Sequence, residues 1–126
     1  MYYSEVVQGY TMGYSCPIRD EHGQVRGVFS TRFNWDFIYD IIDNVKIDES
    51  SQLYVINKEG IVIASKDREN VLSKNLSDMK AVQKVTSGAD NRGYVIENNQ
   101  ICAYCLTEGY NAYKGKGWSV IVIESI

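Results

Sequence analysis

The chain has 126 residues, of which 44% are hydrophobic and 23% charged, and carries a formal net charge of −3. That composition fits one folded domain, or one domain and a fragment of another, and excludes a disordered or low-complexity chain. The acidic balance and the scattered lysines and arginines exclude a general nucleic-acid binder, and no apolar run reaches the ~20 residues that cross a bilayer.

"YYSEVVQGY" and "TMGYSCPI" read as strands, loosely separated by Gly9 and Gly13. "RDEHG" is a turn opened by Asp20, with Gly23 free to take positive φ, and "QVRGVFSTRF" is the returning strand of a hairpin or three-stranded meander. In "NWDFIYDIIDNV", Asn34 is an N-cap and Asp36 suits a helix start. Trp35, Ile38, Ile41, Ile42 and Val45 recur there at helical spacing. "SQLYVINKEGIVIAS" is the clearest hairpin, turning between Asn57 and Gly60. "KDRENVLSKNLSD" reads as a polar connection. "DMKAVQKVTSG" reads as a short helix with Met79, Val82 and Val85 inward and Gly88 as its stop. "NRGYVIENNQICAYCLTEG" is a second hairpin turning at Asn98-Asn99, and "GWSVIVIE" is the last strand, on which Trp118 is expected to be buried beside the helix of Trp35. The pattern after residue 50 predicts an α+β module: a five-stranded antiparallel sheet with helices on one face.

Little here reads as catalysis. The three cysteines, Cys16, Cys102 and Cys105, form no disulfide framework. "CAYC" lies on an expected strand, where residues three apart point to opposite faces about 10 Å apart, beyond bridging distance. His22 is the single histidine and sits in a turn with Asp20 and Glu21, whose side chains splay outward rather than converge on a metal. Asp40 and Asp43 fall on the polar side of the first helix. No metal, cofactor or catalytic residue is assigned.

The ten tyrosines are the more informative set. Tyr54, Tyr94 and Tyr104 fall on strands of the five-stranded sheet, and Tyr110 and Tyr113 on the loop before Trp118. Two readings stay open: tyrosines lining a small-molecule pocket on a concave sheet, and tyrosines at a packing or dimer surface. Lys66 and Thr107, each at the end of a strand, have two readings as well: a contact to an anionic ligand, and, favoured for each, an ordinary exposed side chain.

The string "CPIRDEHGQVRGVFSTRFNWDFIYDII" resembles the hairpin and linking helix of double-Cache (PAS-like) extracytoplasmic sensor domains of bacterial chemoreceptors, sensor kinases and diguanylate cyclases. "QLYVINKEGIVIASKD" resembles their next strand pair, with Ser65 and Lys66 replacing the usual His and Pro and Asp67 matching. "TEGYNAYKGKGWSVIV" resembles their closing segment. The resemblance implies that residues 1–34 are the closing strands of a truncated membrane-distal module and residues 35–126 a membrane-proximal one. It implies non-catalytic small-molecule sensing outside the inner membrane, signalling inward, with membrane contact only through flanking segments and a homodimer as one assembly. The amino-acid-binding branch carries an Asp where this chain has Arg32, so a distal ligand is expected to be neutral or anionic. A cytosolic PAS- or GAF-like regulatory or dimerisation domain is the alternative.

Overall fold

A computed structural model describes residues 1–126, which divide into two compact units, Met1–Ile41 and Ile42–Ile126. The first is a three-stranded antiparallel meander of β1 (Tyr2–Ser4), β2 (Gly9–Arg19) and β3 (Val25–Asn34), followed by the start of α1 (Asp36–Asp43). The expected break at Gly13 is absent: β2 runs through it, with Gly13 paired to Arg32. Strand alternation polarises this sheet. One face carries Tyr10, Met12, Tyr14, Cys16, Phe29 and Phe33, the other Thr11, Gly13, Ser15, Ser30, Arg32 and Asn34.

The β2–β3 turn is built by one carboxylate. Asp20 accepts hydrogen bonds from the His22 and Gln24 amides at 2.9 and 3.0 Å and from Arg26 Nε at 2.7 Å. The Arg26 bond first, then the Gln24 amide, holds its carboxyl below the ordinary 3.8. The folded pKa is the lower one, so the turn's stabilisation is present above the unfolded value and is lost as pH falls through the folded one. A carboxyl titration followed by NMR is expected to place the Asp20 midpoint below 3.8 and to raise it in Arg26→Ala. An unchanged midpoint in that variant would remove Arg26 as the main cause.

Helix α1 starts one residue later than its capping pattern implies. Asn34 ends β3, yet its Oδ1 still accepts the Asp36 amide at 3.0 Å, so it caps from the strand. Trp35 occupies the turn between them and is buried. The expected apolar face is corrected in part. Ile42 is buried and Ile38 half-buried, but Ile41 is exposed with Phe37, four residues earlier on the same stripe, and Val45 lies beyond the helix and is exposed.

The second unit is the predicted five-stranded antiparallel sheet. Its strands are β4 (Gln52–Ile56), β5 (Val62–Ser65), β6 (Arg92–Glu97), β7 (Gln100–Leu106) and β8 (Ser119–Ser125), in the order β5-β4-β8-β7-β6. Both hairpin turns form as read. Asn57 Oδ1 accepts the Glu59 and Ile61 amides and Gly60 takes φ +82°, while Asn98 and Asn99 adopt φ 52° and 59°. Helix α2 (Lys80–Thr86) packs on β6, β7 and β8 with Ala81, Val82 and Val85 buried. They join Tyr54, Ile56, Val62, Leu76, Cys102, Tyr104, Ile121 and Ile123 in one core.

The segment read as a polar connection is in fact a strap along the outer edge of β5. The Leu72 amide donates to Val62 O, the Val62 amide to Lys74 O and the Leu76 amide to Gly60 O, at 2.8–2.9 Å. It protects an edge that would otherwise be unpaired. Its geometry holds Arg68, Asn70 and Leu72 at positive φ, unusual for non-glycine residues. Trp118 is half-buried rather than core. It lies at the neck of the tyrosine-rich loop, where its carbonyl accepts the Thr107 amide at 2.8 Å and the Thr107 hydroxyl at 3.0 Å. Beyond that neck Tyr110 and Tyr113 are exposed.

Candidate functional site

The six ligand-binding candidates occupy four kinds of environment. Tyr54 and Lys66 line one cleft of about 390 Å³ in the five-stranded unit, with Glu49, Ser50, Gln52 and Asp67. Tyr54 is on β4 and Lys66 follows β5; the hairpin between them brings them together. Tyr54 is held from two sides. Its hydroxyl donates to Gln52 Oε1 at 3.1 Å and accepts from Lys74 Nζ at 2.9 Å, and that ammonium also lies 4.6 Å from the centre of its ring. Asp67 supplies negative charge beside Lys66: chiefly the Glu69 amide, donating to it at 3.0 Å, keeps its carboxyl below the usual range.

Arg32 lines a different cleft, of about 200 Å³, wholly within the first unit. Its walls include Gln8, Tyr10, Thr11, Asn34 and Asp36. The Thr11 hydroxyl is committed to Phe33 O at 2.9 Å, while the exposed Arg32 guanidinium is in no salt bridge.

The remaining three lie apart. Tyr104 is buried in the core, with its hydroxyl against Gly93. Tyr94 is 67% exposed on the sheet face opposite α2. Thr107 ties the neck of the loop to Trp118. Sequence reading missed Gln52 and Lys74, which fix the Tyr54 hydroxyl. Period-2 alternation places Gln52 on the same face as Tyr54, but nothing local marks Lys74.

Nucleophilic chemistry finds no assembled site. Cys102 is buried and Cys105 exposed, on opposite faces of β7 as the strand reading requires. Burial, and secondarily the charge of Glu97, pushes the Cys102 thiol up, away from the reactive thiolate. His22 is exposed in its turn beside Glu21. No group of three or more His, Cys, Asp or Glu is gathered to hold a metal. No buried side-chain polar atom lacks a partner, so neither cleft is built around an orphaned group.

No family model matches the sequence, and no curated protein matches it. Solved structures do. The periplasmic sensory domain of the Campylobacter jejuni chemoreceptor Tlp1 superimposes with a TM-score of 0.67 at 20% identity, over 91% of this chain and 43% of that one. The fold is that of a PAS/Cache-like α+β domain. The ligand-binding domain of the Pseudomonas aeruginosa PAO1 amino acid chemoreceptor PctC, in complex with GABA, is also similar. It matches at a TM-score of 0.66 and 19% identity, over 98% of this chain and 52% of that one. The extracellular domain of the putative histidine kinase rpHK1S-Z16 matches at 0.67 and 11%, over 99% and 51%. The chain thus spans about half the length of the solved domains it matches. No helix is long and apolar enough to cross a membrane.

Proposed function

We propose that this chain belongs to the extracytoplasmic, ligand-sensing part of a membrane receptor, and that it passes a binding signal inward without catalysis of its own. The observation that carries this reading is the Cache-like fold, shared over nearly the whole chain with periplasmic and extracellular sensory domains of chemoreceptors and a kinase. The cytosolic PAS- or GAF-like alternative is not favoured by any of these matches. In this reading residues 1–34 are the closing strands of a membrane-distal module and residues 35–126 the membrane-proximal one. The exposure of most of β2 and β3 supports a sheet meant to be covered.

The ligand is a small neutral or anionic molecule received at the Arg32 cleft. A guanidinium offers a planar two-donor fork to a carboxylate or phosphate and repels an ammonium. Asn34, Gln8 and Tyr10 add neutral hydrogen-bonding groups, and the Asp36 carboxylate in the same wall favours a neutral ligand, or an acid whose charge is held on the Arg32 side. The Tyr54–Lys66 cleft is the candidate for the proximal module. The test is a thermal-shift screen of the full-length receptor ectodomain against organic acids, neutral polar compounds and amino acids. A ligand at about a hundred times its Kd stabilises by ~2.7 kcal/mol. The expected result is a shift with an organic acid or a neutral compound that is lost in Arg32→Ala. Stabilisation by an amino acid that survives Arg32→Ala would overturn the ligand class, and no stabilisation by any compound would count against sensing itself.

A further inference from the structure

The apolar core of the five-stranded unit ends before the sheet does. At one end of its α2 face the inward positions turn polar. Gln52 pairs with Ile123, and Glu97 pairs with Gln100. By alternation, Gln52, Gln100 and Glu97 point to the same side as the buried Tyr54, Cys102 and Ile121. The strap supplies the facing wall with Lys74, Leu76 and Asp78, continued by Met79 at the start of α2. These residues bound a cleft of about 360 Å³ over the buried side chains of Leu76 and Ile123. It shares only Gln52 with the Tyr54–Lys66 cleft.

We propose that this cleft binds a small, neutral, polyhydroxylated molecule of monosaccharide size. Charge favours a neutral ligand. Lys74 stands in the wall with Asp78 and Glu97, so a net cation and a net anion each meet a fixed charge of like sign. Hydrogen-bond capacity favours a polyol. An ammonium only donates, a carboxylate only accepts and a carboxamide does both. A row of hydroxyls, each able to donate and accept, satisfies all three kinds of group at once.

The polar groups of the wall are also preorganised. Lys74 Nζ uses one proton on the Tyr54 hydroxyl at 2.9 Å and keeps two. Gln52 Oε1 accepts from that hydroxyl at 3.1 Å, leaving its amide nitrogen free to donate. Glu97 Oε1 accepts the Lys80 amide at 3.2 Å, leaving the other oxygen. Each side chain is anchored by one bond and presents another, which lowers the ordering cost of binding. Leu76 and Ile123 offer apolar surface to the C–H face of a sugar ring, and the volume is at the small end of the ~300–1,000 Å³ range of ligand sites.

The test is a titration of the purified chain with D-glucose, D-galactose, D-ribose and myo-inositol, with acetate and methylammonium as charged controls, followed by amide NMR. One of the polyols is expected to give saturable shifts centred on residues 74–79 and 97–100. Glu97→Gln and Gln100→Ala are each expected to weaken it about tenfold or more, with the rest of the spectrum unchanged. No saturable shift by ~50 mM of any polyol would overturn the proposal. So would tighter binding of either charged control, or affinity that survives both substitutions. Arg32→Ala is expected to leave this titration unaltered, so its outcome is separate from that of the receptor-ligand screen.

Discussion

Replacing Trp35 by Ala is expected to destabilise the protein by about 3–5 kcal/mol, the range for deleting a buried large aromatic side chain. Trp35 is 1% exposed and is the largest fully buried side chain in the chain. Its indole meets the Phe33 ring edge-on, with centroids 6.1 Å apart. Phe37, two residues on and 59% exposed, is the comparison: it keeps a ring contact with Phe33 at 6.3 Å, and Phe37→Ala is expected to cost about 1 kcal/mol or less. Urea unfolding of both variants measures the difference. A Trp35→Ala loss under about 1 kcal/mol would mean that the indole is not buried in solution. The role of buried anchor, expected of Trp118 from the sequence, belongs to Trp35.

Gly93→Val is expected to cost about 1–3 kcal/mol, the usual range for overpacking a filled site. Gly93 lies directly across from Tyr104, and a Cβ there would stand 2.8 Å from the phenol oxygen and 3.1 Å from the ring carbon that bears it. The ring has little room to retreat, because Tyr104 is 4% exposed and packed in the core with Cys102 and Ile121. Glycine in a strand interior often marks this kind of close approach. A double-mutant cycle by thermal denaturation checks the cause. In a Tyr104→Phe background the oxygen is gone, and Gly93→Val is expected to cost distinctly less. Equal costs in the two backgrounds would show that the phenol oxygen is not what excludes a side chain at Gly93.

The candidate site was legible only in part. Tyr54 and Lys66 flank one tight hairpin, so their meeting at one cleft follows from a turn that Asn57 and Gly60 announce. Tyr94 and Tyr104 share another hairpin, and the Asn98-Asn99 turn sets a register in which they fall on opposite faces. That register does not say which face is inside. The packing of α2 decides it, burying Tyr104 and leaving Tyr94 in solvent. The strap was illegible for a related reason. Its hydrogen bonds go to β5, and its residues at positive φ are not glycines, so no local signal distinguishes it from a polar loop.

By itself the sequence determined the order of elements, the positions of the three hairpin turns that carry Gly23, Gly60 and Asn98-Asn99, and two of the inward residues of α2, Val82 and Val85. Each of these is decided within a window of a few residues, by backbone conformations that Gly and Asn tolerate and by the period of apolar positions. Tertiary structure alone decided that β8 inserts between β4 and β7, that Trp35 rather than Trp118 is buried, and that Gln52, Lys74, Glu97 and Gln100 meet at one cleft. Those outcomes depend on pairing and packing between segments distant in the chain. A strand's alternation shows that it has two faces, but which face becomes the interior, and which strands become neighbours, is set by the apolar surface available elsewhere to cover it.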